Sequence, residues 1–139
     1  MNCPKCKTPS LVGTNPHSGI SSLRCSACGG YWVKMEQILP MMELELFDDR
    51  ADAPPKADAE VDAVTGLCPE GHGLMTRARV VTDDTFFLDR CIGCGGIWFD
   101  RGEWEKVASA HLVEEIAAFW TKAWQSRQRE TSRQKEYLQ

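Results

Sequence analysis

The sequence predicts a small α+β protein that is stabilised by metal ions. We expect two tandem Cys-rich units, each made of a β-hairpin and a third strand, followed by a long amphipathic C-terminal α-helix. Three observations support this fold class: six of the seven cysteines form Cys-x-x-Cys pairs, the chain repeats itself internally, and apolar residues recur every three or four positions after residue 102.

The internal repeat appears when the chain is shifted by 66 residues against itself. The gap between the two ligand pairs is 18 residues in both copies, from Cys6 to Cys25 and from His72 to Cys91. Only the first ligand breaks the register. The turn that carries the first two ligands of a copy, here called its knuckle, has one extra residue in the second copy, between Cys68 and the histidine. Further matched positions are Arg24, Cys28, Gly29, Gly30 and Trp32, which fall on Arg90, Cys94, Gly95, Gly96 and Trp98. We therefore interpret the chain as a duplication.

The repeat sorts the metal-binding residue types into two sets of four. Soft and borderline ligands in this number and spacing are typical of closed, structural Zn²⁺ sites, so we expect two zinc ions per chain. Iron in a rubredoxin-like site is the alternative for the first set, and a three-cysteine site completed by water is the alternative for the second. The ligand sets are Cys3, Cys6, Cys25 and Cys28, and Cys68, His72, Cys91 and Cys94.

Composition divides the chain into four parts. The first unit spans 1–47 and includes a short helix, and the second unit spans 67–112. Residues 48–66 between them form an acidic linker rich in Ala and Pro. The last part, 100–139, is a helix with a polar tail. Because the linker separates the units, we expect each unit to bind its metal independently.

The C-terminal helix is expected to begin at Asp100, with Glu103 reaching back to complete a capping box. Its apolar stripe runs as far as Trp124, and the polar residues from 125 onward are expected to fray. The stripe needs a partner surface: the other unit, the methionine-rich helix of the first copy, or a second chain in a homodimer formed through helix 103–124.

Several other residues have two interpretations. The paired tryptophans, Trp32 and Trp98, could stack on nucleic-acid bases, but their position beside a knuckle favours packing against the metal site. The matched arginines that precede a ligand cysteine could contact phosphate or lie in solvent. We place His17 in a hairpin tip and His111 within the C-terminal helix, and expect neither to be catalytic.

The segment Cys91-Ile-Gly-Cys94-Gly-Gly-Ile-Trp98-Phe-Asp-Arg-Gly-Glu103 resembles the transcription-factor-IIB-type zinc-finger (zinc ribbon) family. The resemblance covers residues 1–45 and 67–112, which makes the chain look like two tandem zinc ribbons. It implies that four ligands hold one zinc ion in each copy. His72 in place of a cysteine, and Glu36-Gln37 in place of the Gly-Glu helix entry, depart from the family pattern.

Composition narrows the function classes. The pI near 5.4 and the net charge of −4 disfavour a phosphate-binding protein, although residues 1–40 are basic. We find no nucleophile–base constellation and no glycine-rich phosphate loop, and expect no enzymatic activity. A cytoplasmic adaptor with a protein partner is the leading hypothesis, and a transcription-associated or nucleic-acid-binding factor is the alternative. We expect no signal peptide and no membrane segment.

Overall fold

The structure, a computed structural model, describes residues 1–14, 22–45 and 65–138, with side chains described as far as 134. The hairpin tip with His17, and linker residues 48–64, lie outside the described residues. The strands are β1 (Leu11–Thr14), β2 (Ser22–Cys25), β3 (Tyr31–Lys34), β4 (Thr76–Val81), β5 (Thr85–Arg90) and β6 (Gly96–Phe99). The helices are α1 (Ile38–Glu43), α2 (Glu103–Ser109) and α3 (Lys122–Leu138), with 3₁₀ turns at Met35–Gln37 and Val113–Ala118.

The described strands form one antiparallel sheet in the order β1-β2-β3-β6-β5-β4. Each copy contributes three strands, and the copies meet where β3 pairs with β6. Trp32 lies opposite Trp98 in this pairing. Since these two residues are also equivalent in the sequence repeat, an approximate two-fold axis passes between them. The prediction that the linker keeps the units apart is therefore wrong, because backbone hydrogen bonds join them into one sheet.

A glycine in each copy makes room for the tryptophan of the other copy. A Cβ atom at Gly30 would overlap the ring of Trp98, and one at Gly96 would overlap the ring of Trp32. The preceding glycines have a different role: Gly29 and Gly95 adopt φ values of 77° and 76°, which an L-residue disfavours. The Gly-Gly pairs thus combine one turn residue with one residue required by close packing.

The main apolar core lies on one face of the sheet. Strands β3 and β6 contribute Val33, Ile97 and Phe99, and helix α1 contributes Ile38 and Met41. Strands β4 and β5 add Ala78, Val80, Phe86 and Leu88. The C-terminal stripe packs on the same core, so it is buried within its own chain and the burial argument for a homodimer through helix 103–124 falls away. The stripe residues in this core are Trp104, Val107, Val113, Ile116, Phe119 and Trp124.

The predicted C-terminal helix is present as α3, Lys122–Leu138. The prediction of one continuous helix over 103–124 is wrong, and so is the prediction that residues 125 onward fray. Helix α2 ends at Ser109, and His111 adopts a left-handed φ of 58° in the turn that follows. Two turns, at 110–112 and 119–121, redirect the chain so that successive apolar residues keep contact with the sheet, which one straight helix would leave. Thr121 then accepts a hydrogen bond from the backbone N–H of Trp124 at 3.2 Å and caps helix α3.

The Glu103 part of the predicted capping box is present at the start of α2. Glu103 Oε1 accepts the backbone N–H of Asp100 at 2.9 Å, as expected. The Asp100 side chain also contacts the preceding strand, because its Oδ1 accepts the indole N–H of Trp98 at 2.8 Å. Gly102, with a φ of 89°, directly precedes the helix.

The polar tail forms a helix because it covers the edge of the sheet. Gln125 accepts the backbone N–H of Arg79 at 3.3 Å and donates to the carbonyl of the same residue at 3.1 Å. Gln128 accepts the backbone N–H of Val81 at 2.8 Å. These amides satisfy edge groups of β4 that would otherwise attract another strand. None of the helices in the described ranges has the length and apolarity needed to cross a membrane.

Substituting Gly96→Ala should lower the free energy of unfolding by about 1–3 kcal/mol or more, because the added methyl group overlaps Trp32 at the junction of the copies. Chemical denaturation provides the measurement. Gly13→Ala is the matched control, since no atom lies within 4 Å of a Cβ at that strand position. Equal losses in the two variants would contradict this packing role.

Candidate metal centres

The first predicted ligand set comes together at one end of the sheet. The sulfur atoms of Cys3, Cys6, Cys25 and Cys28 lie within 4.8 Å of one another. Cys3 and Cys28 are 3.8 Å apart, and so are Cys6 and Cys25. A tetrahedral zinc ion with Zn–S bonds of about 2.3 Å requires sulfur atoms about 3.8 Å apart. The donor positions therefore fit zinc, and the thiols are not joined as disulfides.

Backbone N–H groups in the knuckles point at these sulfur atoms. The N–H groups of Lys5 and Cys6 lie 3.4 and 3.3 Å from Cys3 Sγ, and those two and three residues after Cys25 lie at the same distances from its sulfur. The Ser10 hydroxyl adds a contact of 3.0 Å to Cys25. Such outer contacts orient ligands and stabilise thiolate charge.

The second predicted set also comes together. Cys68, His72, Cys91 and Cys94 place their donor atoms within 4.8 Å of one another. The Cys68 and Cys94 sulfur atoms are 3.8 Å apart, and Nδ1 of His72 lies 3.5 Å from Cys68 Sγ. The histidine therefore occupies the fourth corner through Nδ1. It is exposed to solvent, whereas every member of the first set is at least partly buried.

Hydrogen bonds and burial shift the pKa values of the thiols at the first site. The hydrogen bond with Cys28 lowers the pKa of Cys3 to about 5, and the same bond raises the pKa of Cys28. Desolvation raises the pKa of Cys6 to about 12, and the charge of Cys3 acts in the same direction. These surroundings favour the thiolate form of Cys3, whereas a ligand such as Cys6 must lose a proton when a metal binds.

The second knuckle also reaches across to the first copy. The Glu70 carboxylate forms an ion pair with Lys34 and accepts the indole N–H of Trp32 at 3.1 Å. The Lys34 hydrogen bond is the main cause that lowers the pKa of Glu70. Desolvation acts to lower the pKa of Lys34, but hydrogen bonds to Glu70 and Cys94 outweigh it and raise that pKa. A lysine of the first copy therefore faces a ligand of the second.

The first knuckle makes the reciprocal contact. The Lys5 ammonium lies 3.8 Å from Asp89 and 3.9 Å from Asp100, and only 3% of its side chain is exposed. Asp89 is also held by Arg77, whose Nε is 3.1 Å away. Gly66, which the sequence places in the linker, donates its N–H to Asp89 at 3.3 Å. A buried ionic network thus joins the first knuckle to the sheet of the second copy.

The surroundings of the matched tryptophans and arginines are defined by contacts within the chain. Trp32 and Trp98 are buried and cluster with the ligand cysteines, so the packing interpretation is confirmed. The Arg24 guanidinium lies over the Tyr31 ring at 4.8 Å, and that of Arg90 lies over Trp120 at 5.6 Å. Each matched arginine therefore contacts an aromatic ring rather than lying free in solvent.

The comparisons with known proteins agree with this geometry in one copy. Residues 67–110 match the family described as transcription factor zinc-finger, of the TFIIB type. This range contains the whole second ligand set and the Gly95-Gly96 pair, while the first copy is outside it. No curated protein and no solved structure gives a significant match. Together, the family match and the two donor sets support a zinc-binding module.

Two ion pairs between the copies, Lys5 with Asp100 and Glu70 with Lys34, were not predicted from the sequence. We call them the crossed ion pairs. Lys5 and Glu70 occupy equivalent knuckle positions, each following the proline after the first cysteine. Lys34 and Asp100 are equivalent by the 66-residue shift. In both pairs the first copy carries a lysine and the second an acid, and this charge reversal is the signal that could have revealed a contact between copies.

Replacing His72 should distinguish a ligand from an incidental neighbour. His72→Cys should keep tetrahedral binding of Co²⁺ at the second site and give it a four-thiolate absorption spectrum, because sulfur can replace nitrogen at this corner. His72→Ala should weaken binding at that site and leave the first spectrum in place. If His72→Ala binds Co²⁺ with unchanged affinity and spectrum, the histidine is not a ligand.

Proposed function

We propose that the chain is a non-catalytic, two-zinc module that presents a binding surface to a protein partner. The observation that carries the proposal is the pair of four-donor groups whose separations match tetrahedral zinc. Cys3, Cys6, Cys25 and Cys28 would hold one ion, and Cys68, His72, Cys91 and Cys94 the other. The ions would fix the knuckles and, through them, the ends of the sheet.

The ligand count supports a structural role for both ions. Four protein donors fill the tetrahedral shell of each zinc and leave no position for a substrate or a catalytic water. The cluster around the sites consists mainly of the cysteines themselves, with Trp32, Trp98 and Met75 as its large apolar members. Because cysteines make up most of this cluster, metal binding would supply part of the folding free energy at this end.

Purified protein should contain two zinc ions per chain by elemental analysis. Removing them with a chelator should unfold the knuckle end and shift near-ultraviolet circular dichroism, because the buried tryptophans lose their fixed surroundings. Zinc affinity should fall as pH is lowered, since ligands such as Cys6, with a pKa of about 12, must release protons on binding. One ion or none per chain would contradict the two-site proposal.

A partner surface is supported by apolar residues beside the second knuckle. Leu67 is 62% exposed, its bridge partner Leu74 is 70% exposed, and Ile92 is also exposed. A groove of about 640 Å³ runs between the knuckles and is lined by Met1 and Pro4 from the first and by Leu67 from the second. Exposed apolar side chains around a groove are typical of protein-binding surfaces.

The transcription-associated alternative rests on the description of the matched family and on the basic first copy. The tryptophans and lysines that could stack on bases or bind phosphate instead make contacts within the chain. Trp32 and Trp98 are buried, and two of the lysines that make the first copy basic, Lys5 and Lys34, pair with acids of the second copy. These contacts favour the adaptor over nucleic-acid binding.

Affinity capture from the native host tests the adaptor proposal when wild type is compared with Leu67→Ser/Leu74→Ser. The double variant should lose the specific partner because it removes exposed apolar contacts without touching the ligands. Val12→Ser is the control, since Val12 is similarly exposed on β1. Equal capture by all three proteins would contradict the surface assignment, and salt-sensitive binding to DNA or RNA would favour the alternative.

A further inference from the structure

We propose that Lys5 and Glu70 are positioning residues that make zinc binding at the two sites cooperative. The inference rests on the proposed zinc binding and concerns how the sites influence each other. Each residue lies inside one knuckle and contacts the third-strand end of the opposite copy. The two contacts are related by the approximate two-fold axis, with the charges reversed.

Each positioning residue is tied to its own site through its backbone. The N–H of Lys5 lies 3.4 Å from Cys3 Sγ, and that of Glu70 lies 3.4 Å from Cys68 Sγ. A metal ion that fixes these sulfur atoms therefore also fixes the peptide from which the charged side chain extends. If the knuckle loosens, the side chain loses its anchor.

Glu70 carries the influence of the second site to the first. Its carboxylate binds Lys34 at the end of β3 and the indole N–H of Trp32 within β3. Trp32 belongs to a cluster that contains ligands of both sites, Cys3, Cys25 and Cys28 of the first and Cys68 and Cys91 of the second. An ordered second knuckle thus holds a ring in the cluster that the two sites share, on a strand that begins shortly after ligand Cys28 of the first site.

Lys5 carries the influence in the opposite direction. It faces Asp89 and Asp100, whose side chains are only 2% and 3% exposed. Asp100 in turn accepts the indole N–H of Trp98, which belongs to the same shared cluster and lies on the strand that follows ligand Cys94 of the second site. Displacing Lys5 would leave these buried carboxylates without one of their cations, which is strongly unfavourable.

Each filled site therefore stabilises the arrangement that the other site needs. Coupling between two ligands through such an element is reciprocal, and typical couplings correspond to affinity changes of about 5–150-fold. We expect a factor in this range between the sites.

The test follows Co²⁺ at the first site, whose four-thiolate spectrum differs from that of a three-thiolate, one-histidine site. Cys94→Ser, which disables the second site, should lower the Co²⁺ affinity of the first site by about fivefold or more. Glu70→Gln in the intact chain should also lower this affinity. The two substitutions together should give no further loss, because both interrupt the same connection.

Glu36→Gln is the control, since it removes the same charge at an exposed position before α1. Unchanged first-site affinity in Cys94→Ser would overturn the coupling. Additive losses from Cys94→Ser and Glu70→Gln would overturn the role of Glu70.

If Cys94→Ser does not fold, Co²⁺ binding at the second site of a Lys5 variant provides the test instead. Lys5→Met should weaken Co²⁺ binding at the second site, whereas Lys7→Met, at an exposed lysine of the same knuckle, should not. A loss confined to the first site would overturn the inference. If the wild-type chain binds no metal at one or both sites, the proposed function itself is contradicted. If it binds two metals with independent affinities, only the coupling is contradicted.

Discussion

The pairing of β3 with β6 is the constraint on which the rest of the structure depends. It places Trp32 opposite Trp98 and fits each ring into the space left by a glycine of the other copy. Because the strands are joined there, two short hairpins become one sheet with a common core. The knuckles are brought to positions from which their side chains reach the neighbouring copy.

The two faces of the shared sheet are stabilised in different ways. Its helix-covered face buries large apolar side chains, among them Phe86, Phe99 and Phe119, and resembles the core of an ordinary small domain. The opposite face holds the cysteine groups and the two tryptophans. A unit of about 40 residues would have little core of its own. Sharing strands gives both units one core, and the proposed metal ions would need to stabilise only the knuckle end.

The metal centres were predictable from sequence because cysteine spacing is a local constraint. A knuckle such as Cys3 to Cys6 is closed by a few backbone bonds, and the repeat identified its distant partners. The division of the C-terminal stripe into turns and helices was not predictable, since it depends on where the sheet lies. Periodicity through Trp104 and Trp124 reports burial but not the left-handed turn at His111 between them. Likewise, Gln125 and Gln128 look like a solvated tail until the β4 edge is known.

The reversed charges of the crossed ion pairs make the two halves of the molecule electrostatically different. Two first halves placed about the same axis would bring Lys5 against Lys34, and two second halves would bring Glu70 against Asp100. Like charges in both combinations would oppose such homotypic pairing. Although the halves share one fold, they are no longer interchangeable. The arrangement has the geometry of a two-fold dimer whose two subunits carry opposite charges at matching contact positions, so that each half is electrostatically complementary to the other.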